Sequence, residues 1–208
     1  MQTIAYDEWK RKRHYELFKD YENPRFSLTA NVDVTWLLAF AKREQRSFFS
    51  LFLFHVVRSL NAIPEFKTRI RDGEIVIHDV IHPSYTVLDK DELFGFVTTT
   101  FIDDRERFCT AVAMDLDKAK AGASLTDIPG KDDLVYVSAL PWLSFSGITH
   151  PRAARHPDTI PLITWGKYFP MGDKMMIPLA VDHHHGLADG IHVGRLFALI
   201  AESSRSYR

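Results

Sequence analysis

Eight consecutive residues near the C-terminus, His183 to Gly190 (HHHGLADG), bring together three imidazoles and a carboxylate in a turn-prone stretch. An imidazole exchanges protons near pH ~6.5, so one histidine held in a fixed tautomer can take the proton from a hydroxyl that attacks an electrophile. Metal ligation is the competing chemistry, with His183, His185 and Asp189 supplying the nitrogen and oxygen ligands that zinc accepts. Along an extended strand, however, His183 and His185 face one side and His184 the other, so three neighbours cannot converge on one ion. Neither an HExxH pattern nor a second histidine cluster completes a coordination sphere. Proton transfer needs only one of the three. Asp189 then requires a cation to balance it, and Arg11 in the N-terminal segment is the candidate.

The elements around this octapeptide place it at a strand end. Leu162 to Tyr168 and Lys174 to Val181 read as strands across a turn at Gly172-Asp173, and the second runs into the histidines. Beyond Gly190, Val193, Leu196, Phe197 and Ile200 recur at helical spacing, and Asp189 stands where a helix cap belongs. Upstream, helices are expected over Asp7 to Tyr21, about Thr35 to Arg43, Ser47 to Asn61 with Ser47 as cap, and Asp103 to Lys120. Strands are expected at Phe26 to Val34, at Tyr85 to Leu88, at Phe94 to Phe101 and at Leu134 to Leu140, with a hairpin over Ile70 to Ile77 turning at Asp72-Gly73. Gly122 to Asp133 reads as an exposed loop.

The bulk composition narrows the function classes. At 208 residues, 46% hydrophobic and 25% charged, the chain suits one domain with a sizeable core, residues 1–208. Lys+Arg 26 against Asp+Glu 27 argues against nucleic-acid binding by phosphate neutralisation. Cys109 is the single cysteine, which excludes an intrachain disulfide and fits a reducing, cytoplasmic location. The N-terminus lacks the apolar core of a secretory signal, and Phe48 to Val57 is short of the ~20 residues that span a bilayer. His55 and His192 read as packed histidines, His183 as facing a pocket wall or interface in phase with His185, and His184 as packing on the opposite face.

Several separated motifs together resemble the chloramphenicol acetyltransferase family. They are HHHGLADGIHVGRLF, Gly166-Lys167-Tyr168, Gly172-Asp173-Lys174 and Pro178-Leu179-Ala180. Trp9-Lys10-Arg11 through His14-Tyr15, Pro64-Glu65-Phe66, Asp72-Gly73-Glu74, His82-Pro83-x-Tyr85-Thr86-Val87 and Ser138-Ala139-Leu140-Pro141-Trp142 precede them in the family's order, covering nearly the whole chain. The resemblance implies an α/β (α+β) fold, a mixed sheet flanked by helices that is also that of CoA-dependent acyltransferase domains in 2-oxo-acid dehydrogenase complexes. It implies transfer of an acetyl group from acetyl-CoA, a co-substrate, to a hydroxyl of chloramphenicol, with no metal, by homotrimers whose sites lie between subunits. The lipoyl and subunit-binding segments of the dehydrogenase complexes find no counterpart, which suits the antibiotic-modifying branch.

Carried residue by residue, the resemblance makes His185 the general base, Asp189 with Arg11 its structural support, and Thr164 the threonine that orders a water near the tetrahedral intermediate. Lys167 and Tyr168 fall at the CoA end. Three acceptor-side positions depart from the family. A serine that donates to the oxyanion aligns with Gly147, with Ser144 and Ser146 nearby; loss of such a donor costs ~10²–10³ in turnover, so either Ser146 or a backbone N–H substitutes or the enzyme is slow. A tyrosine position is Phe18, and a glutamine position beside the base is Asp182. An aryl acceptor would also need aromatic walls, for which Phe18, Phe26, Phe96 and Phe101 are candidates. The competing expectations are the same chemistry on another hydroxyl or amine acceptor, and a slow relative that binds drug or CoA.

Overall fold

A computed structural model describes residues 1–71, 73–119, 122, 125, 130–151 and 158–208. Asp72, Lys120 and half of the expected loop 122–133 lie outside the described residues.

The strands form two sheets. β1 (Gln2–Ile4), β3 (Thr68–Arg71) and β4 (Glu74–Ile77) make a small antiparallel sheet in the order β1-β4-β3, with Gly73 at φ +85° in the expected hairpin turn. The large sheet contains β2 (Arg25–Asp33), β5 (His82–Leu88), β6 (Phe94–Thr98), β7 (Leu134–Ala139), β8 (Leu162–Trp165), β9 (Phe169–Met171) and β10 (Lys174–His184). Its order is β2-β10-β8-β7-β5-β6, with β9 on β10. β7 runs parallel to both β5 and β8 and the remaining pairs are antiparallel, so the sheet is mixed as expected. Parallel neighbours need a long crossover, and α5 (Arg105–Ala119) stands between β6 and β7 in the chain.

The register assigns each face a role. Tyr85, Val137, Ile163 and Val181 are cross-strand partners in one row. They are buried in a core shared with α2 (Thr35–Arg43), α3 (Phe48–Asn61), α5 and α6 (Gly190–Arg205). Phe49 sits edge-on to Tyr85 at 5.4 Å and Phe52 edge-on to Trp165 at 5.1 Å, so the apolar breadth of α3 is explained by its central place. Ser47 caps α3 as expected, its hydroxyl accepting from Ser50 N–H at 3.3 Å. One residue further along each strand, Thr86, Ser138, Thr164 and Ala180 form a row on the opposite face.

Several boundaries differ from expectation, among them the start of β5 at His82. The helix expected over Asp7 to Tyr21 is a 3-10 turn at Tyr6–Glu8 followed by α1 (Lys12–Phe18), because Trp9 adopts an extended backbone (ψ 123°). Its indole buries against Ile70, Ile75 and Leu187, and that apolar gain outweighs a continuous helix. The Phe94 strand stops at Thr98, after which Phe101 N–H bonds His82 Nδ1 at 2.9 Å and the Phe101 ring enters the core. β8 stops at Trp165, where Gly166 passes so close to Leu143 that a Cβ would lie 2.7 Å from its carbonyl oxygen. β10 continues to His184 and therefore carries two of the three histidines. The short α4 (Pro64–Lys67), opened by proline, was not anticipated as an element.

His55, expected to pack, is buried with Nε2 2.8 Å from Tyr207 Oη. Burial pushes its pKa down to about 4. The folded state thus holds a neutral imidazole that the unfolded chain protonates below ~6.5. Stability should fall as pH drops from ~6.5 toward the folded value, because the unfolded state binds the extra proton there. Urea titrations at pH 7 and pH 5 should give a smaller loss in His55→Gln than in the parent. An equal loss would assign the slope to other groups.

Candidate functional site

The three adjacent histidines go to three environments. His183 is fully buried against the Phe66 ring at 5.4 Å, and its Nε2 donates to the Glu65 carbonyl at 3.3 Å. Burial holds its pKa well below the usual imidazole value. It therefore faces the core, not the expected pocket wall. His184 packs against Tyr15 at 5.6 Å, with Nδ1 accepting the Gly186 N–H at 3.0 Å. His185 lies one residue past the strand end, where its backbone N–H still bonds the Pro24 carbonyl at 2.8 Å.

His185 alone is half exposed, its imidazole between two aromatic rings. Phe18 stacks on it at 4.4 Å and 14°, and Phe26 stands at 4.6 Å on β2. Its Nδ1 lies 3.2 Å from the Ala188 carbonyl and 3.3 Å from Asp189 Oδ1. Both neighbours only accept, so Nδ1 carries the proton and Nε2 keeps its lone pair.

Arg11 secures the turn that presents this ring. Its guanidinium donates to Asp189 Oδ2 at 2.7 Å, the Gly186 carbonyl at 3.2 Å and the His185 carbonyl at 3.3 Å. The expected Arg11–Asp189 pair is thus present and extends to two backbone acceptors. The hydrogen bond from Arg11 is the main reason the Asp189 carboxyl titrates below its ordinary value. Asp189 is the N-cap residue of α6, as expected. Its own N–H donates to His192 Nδ1 at 2.9 Å, and His192 Nε2 reaches Glu65 Oε1 at 3.3 Å. Pattern reading did not assign this Glu65–His192 link, although His192 at the third helical position, where a side chain can reach back to a cap, was the available signal.

Gly186 is the tightest point of the turn: a Cβ there would meet Tyr15 Cα at 2.8 Å and His184 Cε1 at 3.0 Å. Gly186→Ala should therefore displace α1 or the turn, lowering both the melting temperature and any His185-dependent rate at least ~10-fold. Wild-type values for both would show that the turn is slack.

The other expected site residues lie elsewhere in the chain. Thr164 is fully buried on β8 opposite Ala180, five residues before His185, which is ~16 Å along a strand. Its Oγ1 is 2.8 Å from His150 Nε2. His150 borders a cleft of about 700 Å³ with Ser47, Phe49, Thr86, Ser138 and Trp142. Tyr168 sits edge-on to Phe48 at the start of α3, and Lys167 fastens the preceding loop: its N–H donates to the Leu143 carbonyl at 2.8 Å and its carbonyl accepts Ser144 Oγ at 2.6 Å. Ser146 borders a second depression with Thr29, Asn31 and Phe169. Gly147 has nothing within 4 Å of a Cβ, so packing does not demand glycine there. The Asp182 carboxylate is engaged by Arg25 Nε and by Ser27 Oγ, each at 2.5 Å. Arg25, buried and also bonded to the Asp158 and Ile160 carbonyls, was not singled out in the sequence. Phe101 belongs to the core, a correction to its candidacy as an acceptor wall. Phe96 pairs with Thr86 across β5 and β6.

The mixed sheet with a histidine turn at the end of β10 is an acyltransferase fold. A solved structure of the cubic core of the pyruvate dehydrogenase multienzyme complex shares it, with TM-score 0.69 at 16% identity over 94% of this chain and 86% of that one. A solved chloramphenicol acetyltransferase agrees more closely, with TM-score 0.87 at 27% identity over 97% and 98% of the two chains. Residues 1–201 match the family model for chloramphenicol acetyltransferase. A chloramphenicol acetyltransferase from Klebsiella sp is 35% identical over 197 residues, covering 93% of this chain and 89% of the relative. The chain belongs to the chloramphenicol acetyltransferase family.

Proposed function

We propose that this chain, working as one domain over residues 1–208, transfers the acetyl group of acetyl-CoA to a hydroxyl of chloramphenicol and so inactivates the antibiotic. The observation that carries the reading is the half-exposed His185 ring, stacked on Phe18, whose Nδ1 faces two acceptors, the Ala188 carbonyl and the Asp189 carboxylate, so that a proton held on Nδ1 leaves Nε2 as the base. Nε2 takes the proton of the acceptor hydroxyl as its oxygen attacks the thioester carbonyl carbon. The new C–O bond forms while the carbonyl pair moves onto oxygen. Collapse of that oxyanion breaks the C–S bond, and His185 returns the proton to the departing CoA thiolate.

Asp189 and Arg11 hold the turn and do not relay the proton. Lys167 and Tyr168, beside the start of α3, take the CoA end. The cleft beside Phe49, Thr86 and Ser138 receives acyl donor or acceptor. Phe18 and Phe26 form the wall on the base side, and Ser146, Gly147 and Asp182 border the acceptor.

The separation of Thr164 from His185 within one chain supports a site completed by a second copy, as in a homotrimer. A chain of 24.0 kDa should then run at three times that mass in light scattering. No apolar helix among the described residues is long enough to cross a membrane, and we place the enzyme in the cytoplasm. The deciding assay is CoA release followed by a thiol reagent, with product mass. Release that depends on chloramphenicol and a product heavier by one acetyl group support the reading. No release at millimolar drug overturns it. Release with other hydroxyl or amine acceptors alone would instead favour the alternative that the open position at Gly147 and the paired Asp182 motivate.

A further inference from the structure

We propose that His150 is a positioning residue for the acyl transfer, acting through Thr164. The proposal rests on the acetyltransfer reading above and on Thr164 facing the reacting centre of a neighbouring copy. Thr86, Ser138 and Thr164 are neighbours on β5, β7 and β8, forming a row of hydroxyls on one sheet face. Thr86 Oγ1 and Ser138 Oγ are 3.5 Å apart, while Thr164, wholly buried, has its Oγ1 2.8 Å from His150 Nε2. His150 and the first two hydroxyls border the same cleft, which is otherwise walled by Phe49, Leu116 and Trp142. A buried hydroxyl in such surroundings can donate one hydrogen bond and accept two, and its direction is set by its strongest neighbour.

With the tautomer that carries its proton on Nε2, His150 donates to Thr164 Oγ1 across 2.8 Å. The Thr164 proton is then directed away from the imidazole, and from behind the cleft lining it reaches negative charge that develops there through a bridging water. Without His150, Thr164 can turn its proton to a backbone carbonyl and stop serving as a donor. On the neighbouring loop, Gly147 has no side chain and Ser144 spends its hydroxyl on the Lys167 carbonyl.

The test compares His150→Leu, His150→Gln, Thr164→Val and the His150→Leu/Thr164→Val double variant, each confirmed by melting temperature and oligomer mass. His150→Leu should lower kcat about 10-fold, equivalent to ~1.4 kcal/mol of barrier, with both KM values within about twofold of the parent. His150→Gln, whose amide N–H can replace Nε2–H, should recover most of that loss. In the Thr164→Val background the leucine substitution should cost less than about twofold, because two groups that act through one another are not additive. An unchanged kcat in His150→Leu, a change confined to KM, failure of glutamine to recover the rate, or a full leucine effect in the valine background would each overturn the proposal. If Thr164→Val itself leaves kcat unchanged, the placement of Thr164 fails first and takes this inference with it. If Thr164→Val is slow while His150→Leu is not, only the inference fails.

Discussion

His185→Ala is expected to lower kcat by at least ~10³-fold, toward the upper end of what a positioned general base contributes. The melting temperature and oligomer mass should stay near the parent values, because the imidazole is only half buried and the carboxylate beside its Nδ1 is already held by Arg11. Alanine leaves Phe18 and Phe26 free to close over the gap, so the change costs the Ala188 carbonyl one partner and little packing. His185→Gln separates base chemistry from shape: glutamine can fill the slot and donate to the Ala188 carbonyl, but its amide cannot accept a proton near neutral pH. It should be as slow as alanine. Activity above about a hundredth of the parent in both variants would remove His185 as the base.

Arg11→Ala should lower activity and stability together. The guanidinium ties α1 to three acceptors on the turn, with Arg11 14% and Asp189 32% exposed in their side chains, so much of the pair is shielded from screening. Its removal leaves a partly buried carboxylate and two carbonyls without their donor, a loss of about 2 kcal/mol. For a chain of this size that corresponds to a fall of ~5 °C in melting temperature. Lysine should not rescue, since one ammonium cannot span the fork of acceptors that a guanidinium serves. The pH dependence has a defined sign. Asp189 is depressed in the folded state, so its contribution is complete above ~4 and disappears as pH falls through the lower folded value. Asp189→Asn should remove that acid-side slope as well as part of the neutral-pH stability. A variant at position 11 that keeps full activity and melting temperature would show that the turn holds itself.

Much of this site is legible before any coordinates. His185, Asp189 and Arg11 were named from residue type, spacing and resemblance, and the geometry places the last two in contact and the first beside them. Helical periodicity located α3 and α6, and Ser47 capped where a serine before an apolar helix should. Failures of local reading share one cause, contacts distant in sequence. Trp9 breaks the N-terminal helix because its partners are Ile70, Ile75 and Leu187. His183 turns into the core because it is in phase with Leu179 and Val181 on β10, which the distant strands β2 and β8 place in the core. Arg25 ties residues on three segments that no spacing rule connects.

Residue identity by itself determined which chemistry is available: a neutral-pH base, a carboxylate with a candidate cation, and aromatic side chains enough to build a wall. Period and turn chemistry determined that the base would stand at a strand end before a helix, since those signals are local. Only the tertiary structure decided which of three adjacent imidazoles keeps an exposed electron pair, because that depends on acceptors at Ala188, Asp189 and Glu65 and on whether a ring meets Phe66, Tyr15 or Phe18. It also decided that Thr164 and His185 stand apart on one chain, since sheet register, unlike helical phase, is set by partners far away in the sequence.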